Sequence, residues 1–210
     1  MIETIDNGIQ LLCTAISAGL AGYRAAKTRS HAWVLCTLAS GSFFLGDLYW
    51  QLFLIFFGHT PRYSYIPDLC WRSSALFMLL LLNEARGKKE RPAPVKKILF
   101  LIPVFTVAMS SYYAFFDGIL CNLIIAVVMT LLLWNCLDCL IDIHRGKCAN
   151  PSCKWLCLVI LLYCSMEYTT WTISCSWSGD TLANPYFWFE GVLAVSFLLF
   201  IPATTKAVRR

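Results

Sequence analysis

The sequence predicts an all-α fold, a polytopic bundle of seven transmembrane helices, and three observations carry that prediction. Of the 210 residues 59% are hydrophobic and 14% charged, too little polar surface to coat a soluble globule. Seven apolar runs, at 5–25, 32–57, 67–85, 97–116, 119–143, 154–177 and 186–206, approach or exceed the length of about 20 residues that crosses a hydrocarbon core about 30 Å thick. The runs are continuous rather than alternating, which excludes a membrane barrel and leaves helices that satisfy their own backbone groups. Little chain remains for a soluble part, so residues 1–210 read as a single transmembrane domain.

Orientation follows from loop charge. Arg24, Lys27 and Arg29 separate the first two runs, and Arg86, Lys88, Lys89, Arg91, Lys96 and Lys97 the third and fourth. Arg145, Lys147 and Lys154 separate the fifth and sixth, and Lys206, Arg209 and Arg210 close the chain. Fifteen of seventeen Lys and Arg residues thus share one side. The positive-inside rule makes that side cytoplasmic and puts the N-terminus outside a multi-pass protein of the cell membrane. The net charge of +5 is therefore topological; it calls for no nucleic-acid partner, and the basic loops suit anionic membrane lipid.

The first run is preceded by Glu3 and Asp6 rather than by basic residues, and reads as a retained helix, not a signal peptide. Its small pairs, Ala15 with Gly19 and Ala18 with Gly22, predict close packing against a neighbour. The second run continues the device with Ser42 and Gly46, so the turn carrying Asp47 is expected to face another helix. It ends in Tyr49, Trp50, Phe53, Phe56 and Phe57, an aromatic belt at the outer interface. A stiff loop with Pro61 and Arg62 leads to a third helix expected from Pro67, where Asp68 precedes Arg72 by four residues, the favourable order for a salt bridge.

The connector from Arg86 to Lys97 carries Pro92 and Pro94, and Pro103 is expected to kink the fourth helix. The fifth ends in Cys136-x-x-Cys139 with Asp138 and Asp142. On a helix at the reducing side this pair reads as packing rather than redox chemistry. His144, Cys148, Cys153 and Cys157 match no standard zinc spacing, so no metal or cofactor is expected. Cys70 and Cys175, on the oxidising side, are candidates for a disulfide.

The site predicted from these residues is built on charges that are costly in lipid. An acid at the centre of a membrane helix costs about 2.5–3.5 kcal/mol on insertion scales, and is kept for a function or for a partner inside the bundle. By depth, Asp47 and Glu167 fall near mid-membrane, and Asp68, Arg72 and Glu190 in the outer half. With Trp50, Trp71, Trp171, Trp188, Tyr49 and Tyr168 as candidate walls they form a funnel open to the outside. Aromatic faces beside buried carboxylates suit an organic cation, and a protonatable carboxylate at depth suits proton coupling. The competing reading keeps Asp47 and Glu167 as structural groups hydrogen-bonded inside the bundle.

Each half of the chain also shows an intramembrane acid, a tryptophan three or four residues on, an outer loop, a proline, and another tryptophan followed by a charge. Acid to proline is 20 residues in one half and 18 in the other, as in a parallel repeat of three helices, a linker helix and three more. This layout with the N-terminus outside resembles that of the SWEET and PQ-loop transporters. The likeness is one of topology: the Pro-Gln dipeptide that names the second group is absent, and no residue role is carried over. A retinal protein would need a lysine in the middle of helix 7, and a membrane hydrolase would need histidines at depth; His31, His59 and His144 all lie at helix ends. Catalysis is the least supported class. The expectation is a small-solute transporter taking its ligand from the outer face, with a ligand-sensing module that signals through a partner protein, or works as a homo-oligomer, as the alternative.

Overall fold

Each of the seven apolar runs folds into a helix. A computed structural model describes residues 2–59, 65–87, 96–116, 118–177 and 179–208. Among them α1 spans Ile2–Thr28, α2 His31–Phe57, α3 Tyr65–Arg86, α4 Leu101–Tyr113, α5 Ile119–His144, α6 Cys153–Ser174 and α7 Pro185–Val208. Five of these, α2, α3, α5, α6 and α7, are long and apolar enough to cross a membrane. Pro61, Arg62, Pro92 and Pro94, and Lys88, Lys89, Arg91, Arg209 and Arg210 of the charge argument, lie outside the described residues.

α1 departs from the other long helices because its amphipathicity is inverted. Asp6, Gln10, Thr14 and Ser17 recur at helical spacing and are buried, whereas Ile5, Ile9, Leu12, Ile16 and Leu20 are exposed. A polar face turned inward and an apolar face turned outward is the arrangement that lipid, not water, selects. Of its small pairs, Gly22 meets α2, where an added Cβ would lie 3.5 Å from the Thr37 methyl; Gly19 has open space and packs on nothing.

α4 is the short one. Its 13 residues rise about 20 Å, and it is entered through a 3₁₀ turn, Lys97–Phe100. Pro103 does not kink it in mid-course as expected. It is the third residue of α4, directly after the 3₁₀ turn, so it lies at the join of the two windings. α3 likewise starts two residues before Pro67.

α1, α2, α3, α5, α6 and α7 close into a ring in that order, each packed on the next and α7 on α1, while α4 lies outside against α5. The Tyr113 hydroxyl ties α4 to α6 through the Tyr168 carbonyl at 3.1 Å and Thr172 at 2.8 Å. The half of the ring away from the start of α1 is a dry core that includes Met78, Leu82, Leu132, Ile160 and Phe200, with Cys136, Cys139, Cys153 and Cys157 buried in it as small apolar fillers. The candidate disulfide between Cys70 and Cys175 is not formed.

At the far end a four-charge cluster locks three segments together. Arg86 Nη2 donates to Asp138 Oδ2 at 2.7 Å and Asp142 Oδ2 at 2.5 Å, and Lys96 Nζ reaches Oδ1 of each at 2.6 Å. Asn150 donates both amide hydrogens, to Ala85 O at 2.9 Å and Ala207 O at 2.7 Å, and so satisfies the last turns of α3 and α7 together.

Candidate functional site

Gly46 sets the geometry of the site. A Cβ there would stand 2.7 Å from Trp71 Nε1 and 3.2 Å from Cys70 Cβ, so only glycine lets α3 approach this closely. The approach brings Trp71 Nε1 to donate to Asp47 Oδ1 at 3.0 Å, and Thr14 of α1 donates to Oδ2 at 3.3 Å. Asp47 is thereby held between three helices with each oxygen engaged. As expected, its turn faces a neighbour and not the outer surface.

The other acids converge on the same space. Asp68 is buried and pairs with Arg72 at 3.3 Å across one turn of α3. Glu167 of α6 is buried against Tyr163 and Trp171. Glu190 of α7 is buried against Tyr186 and against Asp6 of α1, a carboxyl facing a carboxyl across the α1–α7 seam. Asp180, in the loop before α7, accepts the Glu3 backbone N–H at 3.0 Å and so caps the first turn of the neighbouring α1. Asn184 caps α7 itself, its Oδ1 accepting the Tyr186 N–H at 3.0 Å.

Together they surround a cavity of about 370 Å³ at the α1-start end of the ring. Six acidic side chains line it, Glu3, Asp47, Asp68, Glu167, Asp180 and Glu190, with the indoles of Trp50, Trp71, Trp171 and Trp177, and no basic residue among those described. Exposed Asp180 and Trp177 mark its mouth. Its floor is Phe43 and Leu193, and below them the rings of Phe43, Tyr163 and Phe197 meet at centroid distances of 4.5, 5.8 and 6.3 Å, closing the bundle with an aromatic plug.

Seven of the eleven predicted site residues therefore line one cavity: Asp47, Asp68, Glu167, Glu190, Trp50, Trp71 and Trp171. Four do not. Tyr168 packs on Phe105 of α4, ring centroids 5.1 Å apart. Arg72 stands behind Asp68, beside a small separate void. Trp188 is 65% exposed and donates to Leu182 O at 3.0 Å, because it falls on the outer face of the first turn of α7 while Phe187, one residue earlier, faces in. Tyr49 leans along α2 onto Phe53. Sequence reasoning missed Asp6, Asn7 and Gln10 of α1, whose recurrence at 6, 10, 14 and 17 carried the signal, and Trp177 and Asp180, which no periodicity marks.

Compared with known proteins, the chain matches no family model, no curated protein and no solved structure.

Proposed function

We propose that the chain is a multi-pass protein of the cell membrane, N-terminus outside and C-terminus in the cytoplasm, that carries a small organic cation from the outer face, with the buried carboxyls available for proton coupling. The observation that carries this reading is the cavity's sign: six acids and four indoles line one space, with no lysine or arginine among its described lining residues. Cation–π attraction and charge pairing act together in such a site. In this reading α1 and α4 cross as well. The 3₁₀ turn and α4 rise about 28 Å together, and the exposed faces of both helices are apolar. The seams of the ring also fit a repeat, since α1–α2, α2–α3 and α3–α5 correspond to α5–α6, α6–α7 and α7–α1.

In this reading the aromatic plug of Phe43, Tyr163 and Phe197 is the inner gate of an outward-open transporter. The same plug favours the second reading, a sensor whose cytoplasmic half stays sealed. Polar groups inward of Asp47 on α2 are already satisfied: Ser40 bonds Ser17 at 2.9 Å, and Thr37 donates to Trp33 O at 2.8 Å. Uptake of radiolabelled methylammonium into proteoliposomes separates the two. Saturable uptake lost in Asp47→Asn supports transport, binding without uptake supports sensing, and neither binding nor uptake of any organic cation overturns both.

A further inference from the structure

The acids of the cavity stand in two tiers. Glu190, five residues into α7, lines the cavity, and Asp6 faces it from the α1–α7 seam. Asp47 lies deeper, at the level of Thr14, which donates to it. From Asp6 to Thr14 is eight residues of α1, a rise of about 12 Å. Glu167 belongs to the deeper tier, seven residues before the end of α6. Gln10 and the indoles of Trp71 and Trp171 line the same space.

The tiers also differ in what they lack. Both oxygens of Asp47 accept hydrogen bonds from an indole and a hydroxyl, whereas Glu190 Oε2 and Asp6 Oδ2 are reached by no such donor and their carboxyls meet each other. An ammonium beside two facing carboxyls supplies donors to both. Resting on the cation reading above, we propose that the ligand is a linear α,ω-diamine or polyamine, with one ammonium at Asp6 and Glu190 and the other at Asp47 and Glu167. An ammonium sits about 2.8 Å from each carboxylate, so the nitrogens would be separated by roughly 6–12 Å. An extended chain advances about 1.25 Å per bond, which corresponds to a diamine of four or more carbons or a triamine of similar reach. The methylenes would then lie along Trp71 and Trp171, and a single charge would leave one tier unmatched.

Binding to the purified full chain in nanodiscs, read by quenching of tryptophan fluorescence, tests this with putrescine, cadaverine, 1,8-diaminooctane and spermidine against butylamine and octylamine. The expected result is at least tenfold tighter binding of a diamine than of the monoamine of equal carbon number. Ethylenediamine, too short to span the tiers, should lose that advantage. Glu190→Gln and, separately, Asp6→Asn should bring the diamine down to the level of its monoamine. Equal affinities for mono- and diamines in the unaltered chain would overturn the two-tier assignment and leave the cation reading standing. Failure of every amine to bind would overturn both.

Discussion

At Gly46 the absence of a side chain decides how far Trp71 can reach. Adding one methyl there drives it into the indole nitrogen, so Gly46→Ala should cost about 1–3 kcal/mol by overpacking and pull Trp71 away from Asp47. Trp71→Phe removes the same donor without the crowding. Losing a hydrogen bond to a charged group costs about 1.5–3 kcal/mol of stability, so both variants should lower the melting temperature, the alanine variant further, and both should weaken amine binding by letting the Asp47 carboxylate turn. Asp47→Asn and Glu167→Gln test the carboxylates as charges: amine binding should vanish while melting is nearly unchanged. Variants that melt differently but bind like the parent would return these acids to a structural role. At this scale the sequence showed which acids were out of place in an apolar run, because a charge in lipid needs a reason wherever it points. It did not show which tryptophans faced them. Trp188 and Phe187 are adjacent, both aromatic and both near a helix start, and only the rotation of α7 decides which one faces inward.

Between elements, two kinds of joint hold the helices. The charge cluster at the far end ties the last turn of α3, the residue before the 3₁₀ turn and the end of α5. Removing one member of such a buried set strands its partners, which costs about 3–5 kcal/mol. Asp142→Asn should therefore lower thermal stability by that order, with amine affinity of the folded protein unchanged, since the cluster lies at the opposite end of the ring from the cavity. The aromatic plug is the other joint. Phe197→Ala should cost about 3–5 kcal/mol through the cavity it leaves, and, if the plug is a gate, should raise cation efflux from loaded proteoliposomes. An unchanged efflux would favour a permanent seal. Asp138 and Asp142 were visible in the sequence at the end of helix 5 and Arg86 and Lys96 in the connector, but their pairing was not, because it joins positions 42 to 56 residues apart through a fold that periodicity cannot supply.

The whole molecule is a ring that turns its polar groups inward and its apolar groups outward, and its exposed Leu, Ile, Val and Phe side chains are the surface a lipid environment requires. Helix number and approximate bounds were legible because a run of about 20 apolar residues has few other solutions; the short reach of α4 was not, since hydropathy does not register a change to 3₁₀ winding. Orientation is tested by labelling on a background without native cysteines. Asp180→Cys should react in intact cells and Ala149→Cys only after permeabilisation, and the reverse pattern would turn the cavity toward the cytoplasm. The closure of the ring also bears on how the chain is made. The buried stripe of α1 finds its partners partly on α7: Ser17 donates to Phe197 O at 2.8 Å, Arg24 to Thr205 at 2.6 Å, and Asp6 meets Glu190. α1 is thus completed by α7, which is synthesised later, and until then the acid and amide on its buried face lack those partners. A nascent chain stopped at Asn184 should leave α1 poorly protected from external protease, and supplying α7 as a separate polypeptide should restore that protection.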